Sequence, residues 1–243
     1  MSILPVKFNF WQRHPMSTQA KETIDLDFLQ KTAKKLAEHC GHDEYHQLQL
    51  TWTEDVWKIA SKYLPEQLDR CMDLGAFTGI NSIALSTFSK EVIAVDHQSY
   101  LPDWLPPNVH FCGANVDSAD WENQLIPGPY NVCFMIEILE HLRWSPIPLL
   151  KWLNKHVHLL IITTPDDDEW PALEVHPWSQ YTHYRYMPTA FPGCVGNPNP
   201  MFHVKQYKQH EFIELLSECN FRVLEMNRVG NGKHQMLAVC VPR

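Results

Sequence analysis

The stretch Cys71 to Gly79, CMDLGAFTG, constrains the fold of this chain more than any other. An apolar run of Cys71, Met72 and Leu74 encloses an acidic residue, Asp73, and opens into a glycine turn at Gly75 and Gly79, after which Ile80 to Phe88 carries helical periodicity. Strand, glycine turn and helix in that order form a nucleotide-binding loop, because glycine lets the backbone turn tightly and approach a ligand at the carboxyl end of the strand. A second apolar run, Val92 to Val95, ends at Asp96. That is about 20 residues past the turn, where doubly wound folds place a ribose-binding acid. The expected ligand contains adenosine. A dinucleotide fingerprint would need glycine where the chain has Phe77 and Ile80, which disfavours nicotinamide and flavin.

The βα alternation continues from there. Strands are expected at Asp69–Leu74, Val92–Val95, Val109–Cys112, Tyr130–Ile136 and His158–Thr163, with a helix over Ile147–Leu153 and another over Glu211–Cys219. Two further strand-like runs, Phe221–Arg228 and Lys233–Val241, are joined by Val229-Gly230-Asn231-Gly232, a hairpin composition. The fold class is therefore α/β: a doubly wound, mostly parallel seven-stranded sheet with a C-terminal antiparallel hairpin. Ahead of it lie an aperiodic arm and an amphipathic helix, Leu29 to Cys40, stopped by Gly41, which together fill residues 1–53. The main domain spans 54–243 and opens with a helix over Glu54–Leu64. Between the fifth strand and the next helix, residues 165–203 are longer than an ordinary connection and rich in proline and aromatic side chains, among them Trp170, Trp178, Tyr181, Tyr184, Tyr186 and Phe191. This insertion can stack a phenolic ring, a sugar or a base, or serve as a proline-braced lid.

Composition narrows the partners. A net charge of −8 provides no global basic field of the kind that holds nucleic acid, so small-molecule acceptors gain weight. Seven cysteines, none in a CxxC pair and most inside apolar runs, read as reduced core thiols. No run approaches the roughly 18 apolar residues of a membrane span, and the N-terminus lacks the pattern of a signal peptide. The expectation is a cytoplasmic protein with no membrane span and with an oligomeric state that composition leaves open.

The chain from about residue 54 resembles the class I S-adenosylmethionine (SAM) dependent methyltransferases, which have a Rossmann-like fold. Four features carry this: the glycine turn with Asp96, the run Glu137-Ile-Leu-Glu140-His141 after the fourth strand, Thr164-Pro165 after the fifth, and the terminal hairpin. The first motif of the family, D-x-G-x-G-x-G, is here Asp73, Gly75 and Gly79, with Phe77 replacing the middle glycine. The resemblance implies SAM as cofactor. Asp73, Gly75, Phe77 and Gly79 would lie along its amino acid end, Asp96 would hold the ribose, Asn115 or Asp117 the adenine, and Glu137 would also touch the cofactor.

The E-x-x-E-H run resembles two subgroups, ubiquinone-biosynthesis O-methyltransferases and small-RNA 3′-terminal 2′-O-methyltransferases, both of which use a divalent metal there. If the run opens a helix, Glu137, Glu140 and His141 share one face. By the same resemblance His203, in His203-Val-Lys-Gln-Tyr207, completes the metal set, and two carboxylates with two imidazoles suit magnesium, manganese, cobalt or zinc. Metal-free relatives share the run. There the glutamate contacts SAM, and His141 is either the general base, with Glu140 beside it, or a packed residue. Three functions follow: methylation of a small-molecule hydroxyl, 2′-O-methylation of an RNA 3′ end, or an inactive methyltransferase-like partner subunit, the last suggested by Phe77.

Overall fold

The computed structural model describes residues 25–40, 43–169, 181–189, 203–230 and 232–243. The seven expected strands form one sheet: β1 (Leu68–Leu74), β2 (Ser89–Asp96), β3 (Val109–Gly113), β4 (Tyr130–Met135), β5 (Val157–Pro165), β6 (Phe221–Val229) and β7 (Gln235–Pro242). Their order is β3-β2-β1-β4-β5-β7-β6, with β1 to β5 parallel and β7 antiparallel to both β5 and β6. This is the doubly wound sheet with a terminal hairpin that the sequence pattern predicts. Glycines 230 and 232 take positive φ of 83° and 79° at the hairpin turn, where a side chain would strain the backbone.

The helices are α1 (Leu26–Cys40), α2 (Asp43–Ala60), α3 (Ile80–Ser86), α4 (Trp121–Gln124), α5 (Ile147–His156) and α6 (Gln209–Glu218). Because strand side chains alternate between faces, each central strand feeds two cores, which is why its apolar run is nearly continuous. Met72, Leu74, Cys133 and Met135 pack with Trp121 of α4, Leu149 and Leu153 of α5 and Phe212 of α6. Cys71, Val92, Val132 and Phe134 pack instead with Leu29 of α1, Val56 and Trp57 of α2 and Ala84 of α3. Cys71, Cys112, Cys133, Cys219 and Cys240 are buried thiols. Among the described residues no helix is long and apolar enough to cross a membrane.

The second helix differs from expectation at both ends. It begins at Asp43 rather than Glu54, since nothing between Asp43 and Ala60 breaks a helix, and residue 54 is therefore mid-helix. It ends at Ala60, after which Lys62 N–H and Tyr63 N–H donate to the Ile59 and Ala60 carbonyls. Such tightened bonds unwind the helix before Leu64, whose position ahead of Pro65 disfavours α backbone. The arm 1–22 lies outside the described residues, as do Trp170, Trp178 and Phe191 of the insertion.

Candidate active site

The strand order reverses between β1 and β4, and in open α/β sheets the crevice at the carboxyl ends beside such a switch point receives the ligand. Two loops leave there from paired strand ends, Leu74 of β1 lying opposite Met135 of β4. One is the glycine turn and the other carries E-I-L-E-H, so the pairing of β1 with β4 brings the two sequence motifs together.

On the first side, Gly75 and Gly79 have φ of 79° and 86°. A Cβ on Gly75 would stand 2.0 Å from Ile138 Cδ1, so the turn needs glycine both for its backbone and for the residue packed on it. Phe77, in place of the usual glycine, also has positive φ, 46°. Its N–H donates to Asp96 Oδ2 at 2.9 Å, and its ring lies 5.1 Å from that of Tyr100. The other oxygen of Asp96 accepts from His97 N–H and faces His97 Nδ1, both at 2.7 Å. Asp73 is buried beneath the turn and accepts from Ser82 Oγ at 2.5 Å. Burial pushes its pKa from 3.8 up to about 7, against the lowering effect of Ser82. Glycine cradle and strand-end carboxylate thus fit an adenosyl cofactor.

The expected adenine residues are tied to protein partners. Asn115 Oδ1 accepts from Asp117 N–H at 3.0 Å, a local turn. Asp117 Oδ1 accepts from Arg143 N–H at 2.9 Å, Oδ2 pairs with Arg143 Nε, and the Asp117 carbonyl accepts from Arg143 Nη2 at 3.2 Å. Burial raises the Asp117 pKa, and Arg143 opposes that. Arg143 thereby ties the third-strand loop to the loop bearing E-I-L-E-H.

On the second side the expected helix is absent. Only Leu139–His141 turns, as a single 3₁₀ turn, and Glu137 precedes it with a left-handed φ of 56°. Glu137 therefore does not share a helix face with Glu140 and His141. Its N–H donates to Thr163 Oγ1 at 3.0 Å and its Oε1 accepts from that hydroxyl at 2.7 Å, so the β5 end fixes it. Burial, then the neighbouring Glu140, hold its pKa well above the ordinary carboxyl value.

Glu140, His141 and His203 do come together: one ligand-type atom from each lies within 4.8 Å of the others. The link to His203 is the backbone, because the Glu140 carbonyl accepts from Val204 N–H at 2.6 Å and Lys205 N–H at 3.2 Å. Glu140 is fully buried, with Oε2 bonded to Thr164 Oγ1 at 3.3 Å. Its Oε1 lies 3.6 Å from His141 Nε2 and accepts from no N–H or hydroxyl among the described residues, while the Glu140 carboxyl as a whole also meets that of Glu137. Burial pushes its pKa up to about 8. A buried carboxyl beside two imidazoles is a donor set that a divalent cation fits, and such an ion would restore the carboxylate.

Further residues support the site that sequence reasoning did not single out. Lys205 is buried against Glu211 Oε2 at 2.8 Å, fixing the segment after His203 on α6. Glu211 Oε1 accepts from Tyr184 N–H at 2.7 Å, and the Pro188 carbonyl accepts from Ser145 N–H at 2.7 Å, so the described part of the insertion docks on α6 and beside the E-I-L-E-H loop. Thr164 stands in the sequence reading only as part of Thr164-Pro165 at the end of the fifth strand, and the Thr163 hydroxyl beside it was a legible signal. The Lys205–Glu211 pair had no such signal, because Lys205 precedes α6 and lies six residues from its partner.

With this geometry the family follows. The chain matches the methyltransferase domain family over residues 45–226 and belongs to it: it is a class I SAM-dependent methyltransferase domain. Solved structures share the fold. The 1,6-didemethyltoxoflavin-N1-methyltransferase of Burkholderia thailandensis, holding 1,6-didemethyltoxoflavin and S-adenosylhomocysteine, superposes with TM-score 0.59 at 14% identity, covering 94% of this chain and 93% of that one. A SAM dependent methyltransferase of Aquifex aeolicus gives 0.53 at 16% identity, covering 90% and 99%. One from Methanosarcina mazei gives 0.52 at 13%, covering 76% and 96%. Comparison with curated proteins yields no match.

Proposed function

We propose that this methyltransferase acts on an oxygen nucleophile, a hydroxyl of a small-molecule acceptor, with a divalent cation held by Glu140, His141 and His203. The observation that carries the reading is the convergence of these three side chains around a buried carboxyl. SAM supplies an electrophilic methyl on a sulfonium, and a cation would lower the pKa of a bound hydroxyl and orient its oxygen. What the chain contributes is placement. The glycine turn and Asp96 hold the donor, Glu140 and the two histidines face the acceptor, and Ile138, packed on Gly75, separates the two sides. Holding both reactants on paired strand ends makes the transfer effectively unimolecular. Glu137, bonded to Thr163, stays outside the cation group in this reading and faces the cofactor side.

His203 also favours a second reading, 2′-O-methylation of an RNA 3′ end, because it joins Glu140 and His141 as the resemblance to the RNA enzymes requires. The net charge of −8 opposes it. The Burkholderia enzyme methylates nitrogen, an acceptor with less need of an oxygen-seeking cation. One experiment separates these readings: transfer from labelled SAM to a panel of phenols, catechols and sugars, to amines, and to synthetic RNA with a free or blocked 3′ end, each with chelator and after adding back manganese, cobalt, zinc or magnesium. Hydroxyl methylation lost in chelator and restored by metal supports the proposal. Full activity in excess chelator overturns it and returns His141 to the role of general base.

A further inference from the structure

The two glutamates of E-I-L-E-H leave the same loop and their carboxyls meet. Among the described residues it is Glu140 whose oxygen lies within 4.8 Å of a ligand atom on both histidines, and the two glutamates are held by consecutive hydroxyls at the end of β5. Successive strand residues point to opposite faces. Thr163 meets Glu137 twice, at 3.0 Å through its N–H and 2.7 Å through Oε1. Thr164, wholly buried and paired with Met236 of β7, reaches the other carboxyl, Glu140 Oε2, at 3.3 Å. The Glu140 main chain is clamped separately by Val204 and Lys205 N–H groups on its carbonyl. With the backbone held, only the side-chain torsions remain to be set. The Thr164 contact occupies Oε2 and leaves Oε1 as the oxygen toward His141, 3.6 Å away.

We propose that Thr163 and Thr164 are positioning residues that give the two carboxyls different anchors: Thr163 holds Glu137, and Thr164 turns Glu140 so that a single oxygen, Oε1, faces a divalent cation. This rests on the cation reading above. Groups that orient metal ligands from behind contribute about 10- to 100-fold in metal affinity. At 3.3 Å the Thr164 bond is long for two oxygens, which places it at the lower end, about tenfold.

The test is cobalt titration of the full chain by visible absorbance, with S-adenosylhomocysteine binding measured in parallel by melting shift. Thr164→Val, which keeps the shape and loses the hydroxyl, should bind cobalt about tenfold more weakly. Thr164→Ser should stay within about twofold of the parent, Thr163→Val, whose lost hydroxyl anchors Glu137 rather than Glu140, should do the same, and the Thr164 variants should keep their affinity for the cofactor product. Thr164→Ala is the second variant should Val not be tolerated, and it must show the same loss. Equal cobalt affinity in parent and Thr164→Val, or an equal loss in Thr163→Val, overturns the positioning role while leaving the cation reading intact. A parent protein that binds neither cobalt, manganese nor zinc overturns both.

Discussion

Asp73 carries a consequence that can be measured without substrate. Its carboxyl is buried beneath the glycine turn with Ser82 Oγ as hydroxyl donor, and burial pushes its pKa from 3.8 up to about 7. Below pH 3.8 both the folded and unfolded chains hold the proton, and the group does not distinguish them. As pH rises from there toward 7, the unfolded chain releases the proton while the native chain keeps it, so the unfolded state is favoured and native stability falls. Above about pH 7 both have released it and the loss is complete. A difference of about three pH units at 1.36 kcal/mol each is about 4 kcal/mol in total, of which about 2.5 kcal/mol falls between pH 5 and 8. Asn at this position keeps the acceptor for Ser82 and has no proton to lose. Thermal unfolding of the cofactor-free parent and of Asp73→Asn from pH 5 to 8 should therefore show the parent losing about 5 to 10 °C relative to the variant. Titrating groups that do not interact with Asp73 cancel in that difference. Melting curves whose separation stays constant across the range would refute the reasoning.

Three other outcomes follow from the site. Gly75→Ala should cost about 1 to 3 kcal/mol in urea unfolding, through left-handed strain and the contact with Ile138, and adding Ile138→Ala should recover the contact part; strictly additive losses would contradict the packing. Asp96→Ala should weaken SAM, so that the stabilisation of about 2.7 kcal/mol expected at a hundredfold excess over the dissociation constant shrinks or disappears; an unchanged melting shift would remove Asp96 from the ribose. Lys205→Met should destabilise by about 3 to 5 kcal/mol by leaving Glu211 buried and unpaired, whereas Lys205→Met combined with Glu211→Leu should cost far less, as denaturant midpoints would show.

The fold was legible because its signals are local. A strand buried on both faces must be an apolar run, a chain turning through positive φ asks for glycine, as at Gly75 and Gly79, and a hairpin asks for the glycines at 230 and 232. Seven such runs and their turns sufficed to predict the sheet, and the order of motifs predicted the cofactor class. The helix that E-I-L-E-H could open does not form: the spacing of Glu137, Glu140 and His141 suits a helix, but spacing does not say whether the backbone takes that form. The contact of Glu137 with Thr163, from another strand, accompanies a left-handed residue instead.

What only tertiary structure decided is which chemistry-bearing side chains meet. Pairing of β1 with β4 brings the glycine turn beside the E-I-L-E-H loop, and backbone bonds from Val204 and Lys205 to the Glu140 carbonyl bring His203 to Glu140 and His141. Asp117, a candidate adenine ligand by position, is committed to Arg143, and Thr163 and Thr164 separately hold two glutamates that the sequence presents alike. Periodicity and turn chemistry report each residue's own backbone, whereas a site depends on contacts between segments far apart in the chain, and those exist only once the two cores have packed against the sheet.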